Sequence, residues 1–534
     1  MRLPGPLIFF IVIALIFGTG AAAEPILLKT INISSAGTGK RMLLGDVTGD
    51  GRLEMVMMQG NKMSDDRYIG HEVSSLTVFD CDGKQLWQVG NPSAGAATGS
   101  DIPAQVYDID QDGNNEVLAC MNGKLRILDG KTGTEKSSFN YPDPDAHDCI
   151  VIANLTGTKH PQDIILKNRY EQIWAMNRTG KQLWTYKGNT GHYPWPFDFD
   201  GDGKDEVFCG FDFLTSAGKR LWSMAQEGHA DCIWVGDVDQ DPSNGTEIAV
   251  GGADVTVYHQ DGTLMWRNNQ PVEPQNITIG DFLPDQPGLE IGGQDRVNRS
   301  DPGTEAIFMI SSKGKTTYYK TRSGWGSIAY MCHNWEGDGA DHLMIWRGPD
   351  RPALYNGAVE RVASFTEGYM MSGDMNGDGR DEIIIFSETS ASIYSNGQAD
   401  LSKAAAGCPA PRPQQKRHYC FTRYWGGEYT KENFSTAVER DWVAGKTAAV
   451  SGKPYTLSLN SGRIRINLAD DRFLNGTFSL FDMQGRTVVS VRNNGKRKIS
   501  FAVHGCTPGL LVLRISAGEM RLSECVTAGS GPNR

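Results

Sequence analysis

The stretch FDFDGDGKDEVFCG, residues 197–210, decides the fold because variants of it recur along the chain. The clear variants are GDVTGDGRLEMVMM (45–58), YDIDQDGNNEVLAC (107–120), GDVDQDPSNGTEIAVGG (236–252), GDFLPDQPGLEIGG (280–293) and SGDMNGDGRDEIIIFS (372–387). Two degenerate copies fill the gaps, VIANLTGTKHPQDIIL (151–166) and CHNWEGDGADHLMIW (332–346). Eight units therefore follow one another, and their starts lie about 40 to 60 residues apart.

Most units continue into a second signature that carries an aromatic residue. Examples are DGKQLWQV (82–89), GKQLWTYK (180–187), GKRLWSMA (218–225) and DGTLMWRN (261–268). Each unit thus reads as several short strands joined by turns, and its length is that of a four-stranded blade. The sequence predicts an all-β chain with an eight-bladed β-propeller over residues 26–396. A linear β-solenoid is the alternative, but its repeats would be shorter and its sheet edges would remain exposed.

The composition fits a folded chain without a polyanionic partner. The 534 residues are 39% hydrophobic and 22% charged, and 63 of them are Gly, which beside Asp and Asn indicates tight turns between strands. The net charge of −11, without a block of Lys or Arg, argues against nucleic acid and anionic membranes as partners. It leaves cations and neutral substrates open.

The N-terminus has the order of a secretory signal. MRLPGP is followed by the apolar run LIFFIVIALIFGTG (7–20) and by Ala21, Ala22 and Ala23, so residues 1–23 are expected to be a signal peptide. The alternative is an uncleaved anchor, but fourteen apolar residues are short for a span of roughly 20. We expect a protein secreted from a bacterium, outside the cytoplasm, and without a membrane partner after cleavage.

Export permits disulfides, and the cysteines divide into two groups. Two pairs lie outside the repeats and are the expected bridges, Cys408 with Cys420 and Cys506 with Cys525. The others considered stand in apolar strand-like runs, where a cysteine is more often a small core residue than a reactive thiol: Cys120, Cys149, Cys209, Cys232 and Cys332.

The acidic loops of the repeat predict calcium sites. Alternating carboxylates, a Gly that permits a sharp turn, and a Glu at the ninth position of the loop form an oxygen set suited to Ca²⁺. The expected ligands are Asp46, Asp50, Glu54; Asp108, Asp110, Asp112, Glu116; Asp198, Asp200, Asp202, Glu206; and Asp374, Asn376, Asp378, Glu382. The spacing is shorter than that of an EF-hand. Such ions are expected to stabilise a blade rather than to contact substrate. The copies at Asp237 and Asp281 are interrupted by Pro242 and Pro287, so ion binding there is doubtful.

A second set of polar residues precedes the strand before each acidic loop. Six places before the first loop acid stand Lys40, Asp148, His192, Asp231 and Gln275, with His147, Tyr193, His229, Asn276 and Tyr369 beside them. If that strand is the innermost of its blade, these residues gather at one end of the propeller, opposite the acidic loops. Each residue alone could instead satisfy a neighbouring backbone group. As a ring on a rigid scaffold, they predict a site.

A ring of His, Tyr, Lys and Asp with Trp195 and Trp325 nearby suits a uronic polysaccharide. Eliminative cleavage needs a charge that neutralises the carboxylate, a base for the α-proton and an acid for the leaving oxygen. We expect His192 or His229 as base or carboxylate-facing group, Tyr193 and Tyr369 as proton donors, and Lys40 as neutralising charge. The substrate-binding candidates are His147, Asp148, Asp231, Gln275, Asn276, Trp195 and Trp325.

Other chemistries have less support. No GxSxG, Walker or HExxH pattern occurs in the sequence. The sequence therefore lacks the usual signatures of serine hydrolases, nucleotide-binding enzymes and zincins. A glycoside hydrolase with two carboxylates stays open, although most acids are already assigned to the calcium loops.

The acidic loops resemble FG-GAP repeats, and GHADCIWVGDVD (228–239) with GDFLPDQPGLEIGG resembles the rhamnogalacturonan lyases of polysaccharide lyase family eleven. This resemblance covers residues 26–396. It implies a calcium-dependent, eight-bladed propeller that cleaves rhamnogalacturonan I by β-elimination. Integrin-like adhesive propellers share the loops, several blades have lost loop ligands, and the chain is shorter than expected for that family. Related propeller lyases act on other rhamnose-uronate polymers, so a substrate among acidic plant or algal polysaccharides is implied.

The composition changes after residue 396. A Pro-rich connector, GCPAPRPQQKRHYCF (407–421), and an aromatic segment, RYWGGEYTKENFSTA (423–437), fall in the expected linker, residues 399–450. From residue 451 onward, LNGTFSLFDMQGRTVVSV (474–491) and TPGLLVLRISAGEMRLSECV (507–526) alternate as strands and predict a small β-sandwich. They resemble the sorting domains of type IX-secreted bacterial proteins, which implies the secretion machinery as a partner. An accessory sandwich or carbohydrate-binding module is the alternative.

Two functions of different classes follow from the sequence. One is a secreted, monomeric lyase of an acidic polysaccharide, and the other is a noncatalytic, calcium-stapled propeller that binds glycan or protein. The ring of basic and aromatic residues favours the lyase.

Overall fold

The computed structural model describes residues 24–61, 72–93, 103–226, 228–241, 244–298, 300, 303–346, 352–376, 378–397 and 401, and the strands of a C-terminal part within residues 455–528. The chain divides into two compact units, Met1–Glu439 and Arg440–Arg534. The expected signal peptide and linker, apart from residue 401, lie outside the described residues, as does at least one cysteine of each expected disulfide. Among the described residues, no helix is long and apolar enough to cross a membrane.

The first unit is built almost entirely of strands. The first four blades contain β2 (Arg41–Gly45), β3 (Glu54–Gly60), β4 (Val73–Phe79), β5 (Gln85–Gly90); β6 (Ala104–Tyr107), β7 (Glu116–Met121), β8 (Lys124–Asp129), β9 (Glu135–Asn140); β10 (Cys149–Ala153), β11 (Asp163–Lys167), β12 (Gln172–Asn177), β13 (Gln182–Lys187); and β14 (Trp195–Phe197), β15 (Glu206–Cys209), β16 (Asp212–Leu214), β17 (Arg220–Ser223). A 3₁₀ turn, Ser34–Ala36, precedes them.

The next four blades complete the repeats. They contain β18 (Cys232–Gly236), β19 (Glu247–Gly251), β20 (Val255–His259), β21 (Leu264–Asn268); β22 (Asn276–Gly280), β23 (Glu290–Asp295), β24 (Thr304–Ile310), β25 (Thr316–Ser323); β26 (Ile328–His333), β27 (Asp341–Trp346), β28 (Ala353–Tyr355), β29 (Arg361–Ser364); and β30 (Tyr369–Gly373), β31 (Glu382–Phe386), β32 (Ser390–Ser395), with β1 (Ile26–Asn32) as the fourth strand of blade 8. Every blade is an antiparallel meander in chain order, apart from this closing strand.

The N-terminal strand closes the ring. β1 pairs antiparallel with β32, from Ile26 opposite Ser395 to Asn32 opposite Ser390. A buried cluster then joins the last blade to the first, with Met371 and Ile384 of blade 8 against Met42 and Met55 of blade 1. Similar clusters fill the spaces between the other blades. The structure therefore confirms the predicted eight-bladed β-propeller.

A β-bulge between the third and fourth strands recurs in every blade. The residue left unpaired in each bulge is Leu28, Leu86, Lys136, Leu183, Leu221, Met265, Thr317 or Val362. In four blades a Trp that follows the bulge donates its indole N–H to a carbonyl of the next blade: Trp87 to Gly130, Trp184 to Ser216, Trp222 to Gln260 and Trp266 to Ser312. The aromatic signature of the sequence thus ties neighbouring blades together.

The second unit contains two antiparallel sheets. One is made of β33 (Tyr455–Asn460), β34 (Arg463–Leu468) and β37 (Lys498–Ala502), and the other has the order β36 (Thr487–Arg492), β35 (Thr477–Phe481), β38 (Gly509–Ala517), β39 (Met520–Ala528). The strands expected in this region are present, while the sandwich arrangement and the sorting role stay predictions. The cysteines expected in the propeller core are all buried thiols: Cys120, Cys149, Cys209, Cys232 and Cys332.

Candidate functional site

The first strands of the blades are the inner strands. Successive members contact one another, β2 with β6, β6 with β10, and so on to β26 with β30, whereas the fourth strands lie at the outer edge of each sheet. Because every first strand runs in the same direction, their starts share one end of the propeller and the acidic loops that follow them share the other. We call these the open end and the loop end.

Two histidines and an aspartate converge at the open end of blades 4 and 5. His229 Nε2 lies 3.1 Å from Asp231 Oδ1, and His192 Nε2 lies 3.8 Å from the same oxygen. The backbone fixes the approach, since the N–H of His192 donates to the carbonyl of Ala230 at 3.2 Å. One donor atom from each of the three residues lies within 4.8 Å of the others. His192 and Asp231 are buried, while the His229 side chain is 37% exposed, so the cluster opens toward solvent through His229.

Tyr170 packs against both imidazoles from blade 3. Its hydroxyl lies 3.4 Å from His192 Nε2, and its ring centroid lies 5.2 Å from that of His192 and 4.8 Å from that of His229. The carbonyl of Tyr170 accepts the Thr190 N–H at 2.8 Å, which holds the loop in place. A phenol, two imidazoles and a carboxylate therefore form one group, which we call the histidine cluster.

A buried ion pair continues from this cluster into blade 3. Lys167 Nζ donates to Asp148 Oδ2 at 3.2 Å and to the carbonyl of Arg169 at 2.6 Å. Arg169 lies 3.6 Å from the same carboxylate, and its guanidinium carbon is 5.3 Å from the centre of the Tyr170 ring. Two cations share one buried carboxylate, so this part of the open end carries net positive charge beside Tyr170.

Two known proteins with related sequences are both rhamnogalacturonan lyases. Rhamnogalacturonan exolyase YesX of Bacillus subtilis (strain 168) is 23% identical over 449 residues, covering 66% of this chain and 69% of that protein. Rhamnogalacturonan endolyase YesW of the same organism is 24% identical over 438 residues, covering 66% of each. This chain resembles rhamnogalacturonan lyases. It spans about two thirds of the length of these curated relatives.

Solved structures and family models complete the comparison. The crystal structure of rhamnogalacturonan lyase YesW matches with a TM-score of 0.49 and 18% identity, over 77% of this chain and 84% of that one. The V. cholerae biofilm matrix protein Bap1 matches with a TM-score of 0.49 and 13% identity, over 78% and 96%. No family model matches the chain.

The remaining candidates of this lyase-like propeller lie in other groups at the open end. Lys40 is buried, and its Nζ donates to the carbonyls of Gly37 at 2.5 Å and Glu388 at 2.7 Å, between blades 1 and 8. Burial lowers the pKa of Lys40, and the Glu388 carboxylate opposes that shift. Tyr369 lies beneath the Arg41 guanidinium at 4.7 Å and stacks on Phe386. These contacts place Lys40 and Tyr369 with each other rather than with the histidine cluster.

Blade 6 holds another group. Gln275 Nε2 lies 3.4 Å from Glu273 Oε1, which also receives Arg296 at 3.4 Å, and the Arg296 guanidinium lies 5.0 Å from the centre of the Trp325 ring. Asn276 is buried within β22.

The expected aromatic neighbours of the histidine cluster differ in exposure. Trp195 is 2% exposed and packs against Trp234 at 5.5 Å, so its ring offers no face to a sugar, because it is the first residue of a buried inner strand. Tyr193 is also buried, 6.2 Å from His192 between ring centroids, and His147 faces Tyr141 at 5.5 Å.

At the loop end, carboxylates of the described residues converge in four blades. The groups whose oxygens lie within 4.8 Å of one another are Asp46, Asp50, Glu54; Asp108, Asp110, Glu116; Asp198, Asp200, Glu206; and Asp237, Asp239, Glu247. The last group belongs to blade 5, where the interruption by Pro242 made a site doubtful. Asp202 lies outside its group and accepts the Lys204 N–H at 2.8 Å. In blade 8, Asp374 accepts the N–H groups of Asp378 and Gly379, Asn376 donates to Asp378 at 3.2 Å, and Arg380 pairs with Asp378 at 2.7 Å.

The loop of blade 2 already contains a cation. Lys136 Nζ lies 2.6 Å from Asp110, 2.7 Å from Asp112 and 2.9 Å from Glu116. Lys136 is the unpaired residue of the blade 2 bulge, where the corresponding residues of seven blades are Leu, Met, Thr or Val. Three carboxylates of this loop are thus neutralised in part by a side chain of the same blade.

The last glutamate of each acidic loop is held in an environment that disfavours its charge. Burial raises the pKa of Glu54 to about 8, with Asp46 and Asp50 adding to the shift, and raises that of Glu206 to about 7, with Asp200 and Asp202 adding to it. Burial also raises the pKa of Glu382 to about 8 and that of Glu247 to about 7. A divalent cation relieves such repulsion, so the donor sets of blades 1, 4 and 5 fit one.

Sequence reasoning missed three residues of the open end. Lys167, Arg169 and Tyr170 follow the second strand of blade 3, whereas the alignment of the units was read only backward from the first acid. The antiparallel turn brings Lys167 opposite Cys149, at the start of β10. Reading the ends of the second strands, as in DIILKNRY (163–170), would have found this basic and aromatic run.

Proposed function

We propose that this chain is a secreted polysaccharide lyase that cleaves a rhamnose-uronate polymer, such as rhamnogalacturonan I, by β-elimination. The observation that carries the proposal is the histidine cluster, His192, His229 and Asp231 with Tyr170, at the open end of the propeller. The sequence similarity to rhamnogalacturonan lyases supports the reaction class. The signal-like N-terminus supports secretion.

The histidine cluster fits a divalent cation. Two imidazoles and one carboxylate within 4.8 Å suit a transition ion such as Zn²⁺ better than Ca²⁺, which prefers oxygen ligands. Such a cation would supply the positive charge that neutralises the uronate carboxylate and so acidifies its α-proton. The all-oxygen groups of blades 1, 4 and 5 suit Ca²⁺ and would stabilise the blades.

Neighbouring side chains supply the remaining functions. Arg169, with Lys167 behind it, adds positive charge for the developing carboxylate dianion, because the pair shares one carboxylate, Asp148. Tyr170 holds its hydroxyl beside His192. As the phenolate it would take the α-proton of the uronate, and as the phenol it would return that proton to the leaving glycosidic oxygen, so that the C–H and C–O bonds break without a net change in protons. His229 is the exposed edge of the cluster and faces the substrate.

The test is the ultraviolet absorbance of the unsaturated uronate product, measured with rhamnogalacturonan I and with polygalacturonate. We expect the wild-type protein to release product from the first polymer, and His229→Ala to lower kcat/KM by about a hundredfold or more. Dialysis against a chelator followed by Ca²⁺ or Zn²⁺ separates the two kinds of site, since only an ion at the histidine cluster restores turnover.

His160→Ala is the matched control, because His160 is an exposed histidine in the acidic loop of blade 3, at the other end of the propeller. Its activity should equal that of the wild type. If folded, metal-loaded protein releases no unsaturated product from any uronate polymer, the proposed lyase activity is contradicted. The alternative, a noncatalytic propeller that binds glycan, would then be favoured. Full activity in His229→Ala would remove the histidine cluster from the mechanism.

A further inference from the structure

The loop of blade 7 carries histidines where other loops carry acids. In blades 1, 5, 6 and 8, a glycine at the end of the first strand is paired with the last glutamate of the loop, and the first aspartate follows that glycine. In blade 7 the same register pairs Cys332 with His342, and His333 follows. The two histidines therefore take the positions of the first aspartate and the last glutamate, with Glu336 and Asp338 between them.

The His342 ring is a buried polar group beside a loop carboxylate. Its side chain is 2% exposed, and its Nε2 lies 3.9 Å from Glu336 Oε2, which is too long for a hydrogen bond. Its Nδ1 is buried and has no hydrogen-bond partner within the described part of the chain. Burial disfavours a charged imidazole, so the ring keeps a lone pair for a cation. Two ligand atoms of a tetrahedral Zn²⁺ site lie about 3.4 Å apart, so a small approach of Glu336 would suffice.

His333 is oriented as metal-binding histidines usually are. Its Nδ1 lies 2.7 Å from Asp341 Oδ1, and its side chain is partly exposed. A carboxylate that accepts the N–H of one ring nitrogen fixes the tautomer and leaves the lone pair on the other nitrogen. His333 can therefore present Nε2 to an ion.

The two carboxylates of this loop are exposed at its tip. Asp338 accepts the Ala340 N–H at 3.0 Å, the same contact that Asp50 makes with the Arg52 N–H in blade 1, so the two loops turn alike. In blade 1 the donors already converge, whereas here Glu336 and Asp338 must turn inward, which their exposure permits. Two nitrogens and two carboxylates suit a four-coordinate transition ion, whereas Ca²⁺ takes six to eight oxygens.

Hydrogen bonds join this loop to both neighbouring blades. Asp341, which holds His333, also accepts the Asp281 N–H of blade 6 at 2.9 Å through its other oxygen. The N–H of His333 donates to Asp381 of blade 8 at 2.8 Å. An ion held by His333 would thus stabilise the junction of three blades.

We propose that His333, Glu336, Asp338 and His342 bind a transition-metal cation such as Zn²⁺ in the loop of blade 7. The site lies at the loop end, whereas the histidine cluster lies at the open end. Its role is to stabilise the propeller, and it does not depend on the proposed function.

The experiment is a calorimetric titration of the dialysed full chain with Zn²⁺ in excess Ca²⁺, which fills the all-oxygen loops, together with metal analysis. We expect His342→Gln, which keeps a neutral side chain of similar size, to lower the Zn²⁺ stoichiometry by one. His229→Ala should also lower it by one, through the histidine cluster, and the double variant by two. His160→Ala is the control and should change nothing.

A positioning variant separates a metal site from a merely structural histidine. Asp341→Asn keeps an oxygen for the Asp281 N–H but no longer accepts a proton from His333 as a carboxylate does. We expect it to weaken Zn²⁺ binding at this site about tenfold to a hundredfold, with Ca²⁺ binding unchanged.

The stoichiometries decide the two metal sites independently. An equal Zn²⁺ stoichiometry in the wild type and in folded His342→Gln overturns the blade 7 site. If His342→Gln does not fold, His333→Asn replaces it, because an amide can still donate to Asp341, and an unchanged stoichiometry there overturns the site as well. A stoichiometry that falls in His342→Gln but not in His229→Ala supports the blade 7 site and contradicts a cation at the histidine cluster.

Discussion

Blades 2 and 4 carry the same acidic loop, with three aspartates at alternate positions and a glutamate eight residues after the first acid, yet they neutralise it differently. In blade 2 the bulge residue is Lys136, whose ammonium contacts Asp110, Asp112 and Glu116. In blade 4 the bulge residue is Leu221, which is 55% exposed, so Asp198, Asp200 and Glu206 face one another without an ammonium at that position. The loop motif defines a site for positive charge, and a residue on the fourth strand decides whether the protein supplies that charge.

Removing divalent cations should have the largest effect, and blade 4 should contribute to it while blade 2 does not. A ligand at a hundredfold excess over its Kd stabilises the folded state by about 2.7 kcal/mol per site. We expect a chelator to lower the melting temperature of the wild-type protein, and Asp200→Asn to reduce both the calcium stoichiometry and this shift. The measurement is calorimetric melting with and without Ca²⁺, together with metal analysis of the dialysed protein.

Asp110→Asn is the matched variant in blade 2. Its calcium stoichiometry should equal that of the wild type, because Lys136 already occupies the space between these carboxylates. A stoichiometry that falls by one in Asp110→Asn would show that calcium displaces the lysine, and the contrast between the blades would fail.

The pH dependence of the chelated protein should be the next largest effect. Burial raises the folded-state pKa of Glu206 to about 7 and of Glu54 to about 8, above the unfolded value near 4.5. The stability that comes from their bound protons is fully present below about pH 4.5 and is lost as the pH rises through 7 to 8. Without calcium the melting temperature should therefore fall across this window. With calcium, which binds the ionised form, the fall should vanish. Glu206→Gln should flatten the slope measured in chelator, and an unchanged slope would contradict the assignment.

Much of the ring could be read from the sequence, while its closure could not. The loop acids and the Gly residues that turn the chain are local, so eight units, their inner strands and their two ends followed from spacing alone. β1 pairs with a strand more than 350 residues later, and the unit pattern carries no sign of that partner. The contact between Lys136 and Glu116 could not be read from the sequence either. The two residues are 20 apart along the chain, and the β-bulge brings them together.

The open end shows the same limit. His192, His229 and Asp231 were found because one strand register aligns them, and the structure brings these three together. Lys40 and Tyr369 satisfied the same register but lie between blades 8 and 1, since a register gives the height along the axis and not the position around it. Tyr170 reaches the histidines from a different strand, which a single alignment could not reveal.

Lys136→Leu should turn blade 2 into a copy of blade 4. Glu116 is 1% exposed, and removing its ammonium partner leaves a buried carboxylate beside two others. We expect a loss of about 2 kcal/mol in chelator, less than for a fully buried pair because Lys136 is partly exposed. Calcium should restore the loss and add one bound ion. Lys124→Leu is the control, since Lys124 is an exposed lysine of the same blade. Loss of stability that calcium does not restore would mean that the loop cannot hold the ion.

Leu221→Lys is the reciprocal change, with the smallest expected effect. The same bulge register, Phe213 opposite Trp222 and Leu214 opposite Arg220, places the new ammonium where Lys136 stands in blade 2. Because Leu221 is more than half exposed, the added ion pair should contribute at most about 1 kcal/mol in chelator. Its clearer sign should be competition, with the calcium stoichiometry lower by one and a smaller calcium-dependent rise in melting temperature. Leu264→Lys, at an exposed residue of blade 5 that is paired rather than bulged, should change neither quantity. If Leu221→Lys also leaves both unchanged, the bulge position alone does not direct the ammonium into the loop, and the twist of blade 2 or its Glu116–Asp129 pairing must contribute.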